Sequence, residues 1–469
     1  MAPFRVIIIG GGLSGSLLGN GLHNNGVEVT VYERDPQDQK REGYQIRLGD
    51  SAMTGFRACL KEDHLHRIIG KFGQSSSSTS TAPSVYNSHF QQILHLTTLP
   101  SYSKSWAINR VVLRNLIAEP LEKLGLVRFG KKFTHYEISN GESGSEQVRV
   151  HFSDGSVDEC DILVGADGGG STINRQIGLN NIVPIHSHWS FLNKGSLPTS
   201  QLQDLPSQLQ KGPVMTFTPE ASFFYALYLP PKKQDGATGT GTGQLEYDVD
   251  EASFYWGLNI PRSYSHYEDP GELPDPLGFC LRYVKNWAPE YHQMIKTGAE
   301  NEGSSKVLVT ALRASNKPSN HWRRESQRDG DLSKGHDRVW LMGDAIHAMQ
   351  PSRGQGGNQA FHDCADMLPE LLALRESAKS GVLSSRQVEE ACRRYESTMI
   401  ERAFAWVKKS GGTTAFVSCV ILDGASSHPE TDPCLDHKSR RFSWDAHLPR
   451  WQDCGSHNLG RLSGRGGET

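Results

Sequence analysis

The sequence predicts an α/β fold with a parallel sheet at its centre. A second, α+β region with a mainly antiparallel sheet and a set of C-terminal helices complete it. Three observations carry this reading. Residues 4–9 are a short apolar run that turns into glycines, the pattern of a buried parallel strand ending in a tight turn. Residues 14–24 then place small and apolar side chains, among them Leu17, Leu18 and Leu22, at helical spacing, and residues 27–32 form a second strand. The resulting β-α-β unit implies a parallel sheet. Finally, residues 223–229 and 252–260 are aromatic and alternating, which suits antiparallel strands.

The remaining elements follow in order. Residues 73–84 are a Ser/Thr tract too polar to pack and read as a flexible excursion. Residues 111–124 have helical spacing, 148–152 alternate, 153–156 turn, and 162–164 are again a buried strand. The character changes between 186 and 325, where a Gly/Thr-rich loop at 232–244 separates the two aromatic strands. Residues 338–342 return to parallel-strand character, and 359–375 and 385–409 read as helices. From 423 to 469 the chain is rich in Gly, Ser, His and Arg with little periodicity, and is expected to be a disordered or loosely attached tail.

Composition excludes several classes. The 469 residues hold 49 Lys plus Arg against 52 Asp plus Glu, a net charge of −3. Such a balance lacks the basic surplus of a nucleic-acid binder. No stretch approaches the ~18 consecutive apolar residues of a membrane span, the longest being 414–422. The first residues have no charged leader ahead of a long apolar region, so no secretory signal is expected. Eight cysteines without a C-x-x-C pair suit buried, reduced thiols in a cytoplasmic protein, and no metal site is expected. There is no H-E-x-x-H and no G-x-S-x-G elbow.

Three constellations carry chemistry. In the first, Gly10 permits the turn off the strand, Gly12 lets the backbone approach a pyrophosphate, and Gly15 lets the helix sit close to the sheet. The helix start offers free N–H groups, and Glu33 closes the second strand where a carboxylate can accept both hydroxyls of an adenosine ribose. This is a Rossmann-type dinucleotide turn, which by itself does not separate NAD from FAD. In the second, a strand delivers Asp344, then Pro351, Gly354, Gly356, Gly357 and Asn358 form a turn that opens a helix. Asp344 could accept hydrogen bonds from a ribityl chain, and the glycine turn could stabilise negative charge on a flavin ring. In the third, a strand ends at Asp167 and Gly168, with Ser171 as a possible helix cap.

The second constellation resembles the FAD-dependent aromatic hydroxylases, the group A flavoprotein monooxygenases such as salicylate and p-hydroxybenzoate hydroxylase. Their Gly-Asp-Ala-x-His-x-x-x-Pro-x-x-Gly-x-Gly-x-Asn segment is matched at Gly343, Asp344, Ala345, His347, Pro351, Gly354, Gly356 and Asn358. The resemblance implies a Rossmann-type FAD-binding domain at 1–185, returning at 326–375, a substrate domain at 186–325 and C-terminal helices at 376–422. It implies that Asp167 contacts the FAD ribose, that Arg110 reaches the pyrophosphate, and that Arg47 passes near the isoalloxazine. Where the family has Arg, this chain has Asn174, with Arg175 one place later. His347 is balanced between a flavin role and local packing.

The chemistry implied is that of FAD reduced by NADPH or NADH, with dioxygen then forming a C4a-hydroperoxide that hydroxylates or epoxidises a bulky apolar or aromatic small molecule. Specialised metabolism is the expected setting. No catalytic base is assigned. Tyr225 and Asn259, on the two alternating aromatic strands, are candidates for the pocket wall. A flavin-dependent halogenase is an alternative, since Trp256-x-Leu258-x-Ile260-Pro261 resembles that family's Trp-x-Trp-x-Ile-Pro with Leu258 in place of the second Trp. A flavin-dependent reductase and a non-catalytic flavin-binding relative are the others.

Overall fold

Five parallel strands form the first sheet, in the order Val339–Leu341, Ile162–Gly165, Arg5–Ile9, Glu28–Tyr32 and Val127–Arg128. Every neighbouring pair in it runs parallel. Val6, Ile7, Ile8, Ile162, Leu163, Val164, Val339, Trp340 and Leu341 are fully buried, as expected for strands covered on both faces. The computed structural model describes residues 4–37, 39, 45–73, 82–99, 105–140, 146–230, 252–299, 307–327 and 330–413. These belong to one compact unit, Met1–Ile421. The predicted loop at 232–244, the apolar run at 414–422 and the tail from 423 lie outside the described residues. Among the described residues, no helix is long and apolar enough to cross a membrane.

The helix Leu13–Asn24 packs against Arg110–Lys123, Asp50–Cys59 and the long helix Gly356–Ser380. These contacts depend on small residues. Between the last two helices, a Cβ on Gly55 would lie 2.0 Å from the Phe361 carbonyl oxygen. Ser385–Lys409 follows, opened by a capping box in which Ser384 and Gln387 exchange hydrogen bonds.

The second large sheet has seven strands, in the order Leu308–Ser315, Ile182–Ser196, Ser253–Pro261, Ser222–Tyr228, Val214–Phe217, Ser84–Tyr86 and Gln92–His95. It is antiparallel except where 214–217 meets 84–86. One face carries Phe223, Tyr225, Leu227, Phe254, Trp256 and Leu258 into a separate core with Phe279, Tyr291 and Met294. The other face carries Ser222, Phe224, Ala226 and Tyr228 opposite Asn259, Gly257, Tyr255 and Ser253. This second face meets the ribbon formed by Gln45–Leu48 and Trp106–Asn109: Tyr228 donates to the Lys71 carbonyl at 2.9 Å, and Asn109 Nδ2 donates to Ser253 Oγ at 3.2 Å. Asn109 also caps the helix that begins at Arg110, its Oδ1 accepting the Val111 N–H at 2.9 Å.

Several sequence expectations need correction. Tyr225 is not a pocket residue: it is fully buried in the second core and donates its hydroxyl to Thr297 Oγ1 at 3.0 Å. Trp256, the aromatic that suggested a halogenase, is in the same core. Of the tract read as a flexible excursion at 73–84, residues 74–81 lie outside the described residues. Ala82 and Pro83 are buried and Ser84 opens a strand, because Ser84 donates its N–H to the Pro213 carbonyl.

Adding a methyl at position 55 sets backbone against side chain where neither helix can yield cheaply. Gly55→Ala is expected to destabilise the protein by ~1–3 kcal/mol. A lower thermal unfolding midpoint checks this, and an unchanged midpoint would contradict the close helix approach.

Candidate flavin site

The four adjacent strands ending at Leu341, Gly165, Ile9 and Tyr32 run the same way, so their carboxyl ends share one edge of the sheet. Asp344, Asp167, Gly10 and Glu33 follow those ends within a few residues. Crevices outside the carboxyl ends of such strands are where ligands bind in open α/β sheets.

At the centre, Gly10 adopts φ +111°, and a Cβ there would meet the Ala166 carbonyl oxygen at 2.3 Å. Only glycine lets this turn lie against the strand end that leads to Asp167. A Cβ on Gly15 would strike the Gly10 carbonyl oxygen at 2.1 Å. Gly12, the N-cap of the helix Leu13–Asn24, has open space where a Cβ would be. The free N–H groups of the helix start therefore face an unfilled approach. Glu33 is buried beside this turn: a Cβ on Gly11 would lie 3.3 Å from its Oε2. Its Oε1 accepts the Asp35 N–H at 3.0 Å, and Arg114 Nη2 stands 4.0 Å from Oε2.

Asp167 turns one oxygen inward, where Oδ2 accepts the Thr172 N–H at 2.8 Å. Among the described residues, its Oδ1 is closed to solvent and has no hydrogen-bond partner. Burial pushes its carboxyl pKa up, against the bonds from Ser171 and Thr172. An acceptor left in this state suits a ligand hydroxyl. Asn174, which departs from the family pattern, is a buried brace. Its Nδ2 donates to Asn181 Oδ1 and to the Ala345 carbonyl, both at 2.8 Å. Asn181 in turn donates to the Ile346 carbonyl at 2.9 Å. Arg175 folds back on its own turn, donating to Gly170 O and Thr172 Oγ1 at 3.0 Å.

The Asp344 turn is anchored from below. Asp363 Oδ2 accepts the Gly343 N–H and approaches His347 Nε2, both at 2.7 Å, while Oδ1 accepts from Arg402 Nη2 at 2.7 Å. His347 and Asp363 are fully buried. Burial works against both charges, but His347 and Arg402 hold the Asp363 carboxyl down at about 2. For His347, burial is likewise outweighed by Asp363, and its pKa is raised. The histidine thus braces the turn through Asp363.

Asp344 itself is exposed, although Met342, Gly343, Ala345, Ile346 and His347 around it are all buried. Desolvation nevertheless raises its pKa, opposed by His347 and Arg110. A carboxylate that is desolvated yet open on one side lines a recess within the protein. Two neighbours define that recess: a Cβ on Gly343 would lie 3.4 Å from Ser14 Oγ, and one on Gly356 would lie 3.7 Å from Asp344 Oδ1.

Pro351–Arg353 form a short 3-10 turn, and Gly354 follows in the left-handed region at φ +61°. The long helix begins at Gly356, three residues earlier than its periodicity predicts, because glycine adds nothing to the apolar pattern. Gly354 and Gly357 have open space where a Cβ would stand. Asn358 ties this turn to the ribbon: Oδ1 accepts the Gly49 N–H at 2.7 Å, and Nδ2 donates to the carbonyls of Arg47 at 2.8 Å and Gly354 at 3.0 Å. The Arg47 side chain donates to Ser105 Oγ at 3.0 Å and to its carbonyl at 2.8 Å.

Glu33, Asp167 and Asp344 are therefore brought to one sheet edge together with Gly10, Gly12, Gly15, Arg110 and the 351–358 turn. Asn259 lies on the face of the second sheet that meets the ribbon, with Nδ2 donating to Ser222 Oγ at 2.9 Å. Sequence reading missed Asp363, Arg402, Asn181 and Arg114. Only Arg114 left a signal, one helical turn after Arg110. The open glycines, the unpartnered Asp167 oxygen and the recessed Asp344 fit an elongated ligand with hydroxyl and phosphate groups, as FAD has.

The raised His347 pKa has a consequence for stability. Its contribution is complete below the unfolded value of ~6.5 and is lost as pH rises through the higher folded value. The thermal midpoint is expected to fall over that alkaline range. His347→Gln should flatten the fall, and an identical slope in the variant would contradict a charged His347–Asp363 pair.

The chain matches the FAD binding domain family over residues 4–234 and 285–403. It is 22% identical over 471 residues to the dual O-methyltransferase/FAD-dependent monooxygenase elcB of Phaeosphaeria nodorum, covering 91% of this chain and 47% of that protein. It is 24% identical over 405 residues to the chloroplastic zeaxanthin epoxidase of Nicotiana plumbaginifolia, covering 84% of this chain and 52% of that one. The chain spans about half the length of these curated relatives. A crystal structure titled as a putative FAD-containing monooxygenase from Photorhabdus luminescens shares the fold at a TM-score of 0.62 and 19% identity, over 87% of this chain and 97% of that one. The chain belongs to the FAD binding domain family.

Proposed function

We propose that this protein is an FAD-dependent monooxygenase that uses NADPH or NADH and dioxygen to hydroxylate or epoxidise a bulky apolar or aromatic small molecule. The observation that carries the reading is the shared sheet edge, with four strand ends, two open helix starts and a recessed Asp344. FAD, when bound, supplies electron transfer from the nicotinamide and the activation of dioxygen.

The chain's own residues do the rest. Glu33 accepts hydroxyls of the adenosine ribose beside Gly11. The N–H groups after Gly12 receive the pyrophosphate, with Arg110 as a charged partner. Asp167 offers its unpartnered oxygen, and Asp344 accepts hydroxyls of the ribityl chain. The helix start at Gly356 would offer N–H donors to the ring's anionic edge, a fixed electrostatic stabilisation that needs no reorganisation. Asn358 holds that helix start against the ribbon.

The second sheet supports an apolar pocket. Its ribbon-side face carries Phe224 and Tyr255, with ring centroids 5.8 Å apart, beside Gly257. Asn259 shares that face with Ser222 and Ser253, and among the described residues its Oδ1 has no hydrogen-bond partner. The aromatic rings of that face would help exclude water from the reaction, and the Asn259 amide would orient the substrate. Aromatic rings on that face favour a flat, apolar substrate over a small charged one. The five described free cysteines are buried, which suits a cytoplasmic setting.

Purified protein should be yellow and should oxidise NADPH or NADH faster with an accepted substrate. Mass spectrometry under labelled dioxygen should find one labelled oxygen atom in the product. Turnover with no label in any product would overturn the monooxygenase reading in favour of a reductase. Asp344→Ala and Glu33→Ala each remove a charge-assisted acceptor of ~1.5–3 kcal/mol. Each should therefore raise the FAD dissociation constant roughly 10- to 100-fold, and unchanged FAD affinity in both would contradict the site.

A further inference from the structure

We propose that the chain carries a surface site for a first-row transition-metal cation of the zinc type, formed by His135, Glu137 and His151. It lies on the three-stranded antiparallel sheet of Phe133–Asn140, Glu146–Phe152 and Val157–Cys160. His135 and Glu137 are two apart on one strand and share a face. His151 is the cross-strand partner of His135, so the register puts all three side chains on that face. Sequence reading missed the site because the two histidines are far apart in the chain and meet only through this register.

The donor atoms are already grouped. One ligand atom from each residue lies within 4.8 Å of the others. His151 Nε2 is 3.5 Å from Glu137 Oε2, and His135 Nε2 is 3.9 Å from Glu137 Oε1. Zinc bonds of ~2.0–2.1 Å to imidazole and carboxylate in a tetrahedron set donors roughly 3.3 Å apart. The two histidine–glutamate separations, one to each carboxylate oxygen, exceed that by about 0.2 and 0.6 Å, and the whole donor set lies within 4.8 Å, so a cation would draw the three side chains inward. Among the described residues, His151 Nε2 is shut off from solvent and has no hydrogen-bond partner. The two imidazoles stack at 4.3 Å with their planes 6° apart. Their lone pairs therefore lie in nearly parallel planes, and side-chain rotations would converge them on a cation beside Glu137. Two imidazoles and one carboxylate are a borderline-soft set suited to zinc, with the remaining position left to water. The nearby cation does not compete. Arg149, cross-strand from Glu137, is engaged by Glu159 at 2.8 Å.

The test uses the full-length flavin-loaded protein and Zn2+ alone. Competition with a chromophoric zinc indicator should show a bound ion that is lost in His135→Ala/His151→Ala and held at least tenfold more weakly by Glu137→Gln. Flavin content and circular dichroism establish that both variants fold. X-ray absorption at the zinc edge of the wild-type protein needs no variant and should show nitrogen and oxygen donors at about 2.0–2.1 Å. Zinc binding equal in wild type and double variant, no binding in the wild type, or a sulfur-dominated edge would each overturn the proposal.

Discussion

Parallel pairing of the four central strands is the constraint on which this molecule rests. Residues far apart in sequence, near 10, 33, 167 and 344, cannot recognise one another directly. They meet because each closes or follows a strand in one parallel sheet, and parallel strands deliver their carboxyl ends to the same side. The apolar runs of those strands thus do two jobs. They bury the core, and they fix which polar turns become neighbours. Gly10 and Gly15 complete the arrangement by allowing backbone approaches that any side chain would block.

Beneath the turn that carries Asp344 lies a second layer of control. Asp363 is wholly buried and accepts from a backbone N–H, an imidazole and a guanidinium at once. A buried charge cluster of this kind adds little net stability over an apolar equivalent. Its value is geometric: each lone pair has one satisfied direction, so the turn has one position. Asn174 and Asn181 hold the other flank of the same turn through backbone carbonyls. Asp344 can therefore stay desolvated and open to a ligand without its backbone collapsing into the recess.

Much of this was legible in the sequence, for a physical reason. Strand and helix positions near the glycine motifs depend on local periodicity, and Arg5–Ile9, Leu13–Asn24 and Glu28–Tyr32 lie within a residue or so of where the pattern places them. The facing of the second sheet was not legible. Phe223, Tyr225, Tyr255 and Asn259 alternate equally well in either direction, and only the packed helices at 276–283 and 289–296 decide which face is core. Asp363 and Arg402 were invisible because each sits in an otherwise ordinary amphipathic helix, and their meeting depends on how the two helices cross.

Asn109 shows how tightly the two sheets are joined. One amide caps the helix that bears Arg110 with its oxygen and grips Ser253 of the seven-stranded sheet with its nitrogen. The ribbon-side face of the seven-stranded sheet and the helix that begins at Arg110 are thus set by a common fixture. Grafting a relative's second sheet onto this scaffold would need a hydroxyl at the Ser253 position to keep both in alignment. Modularity here ends at that residue.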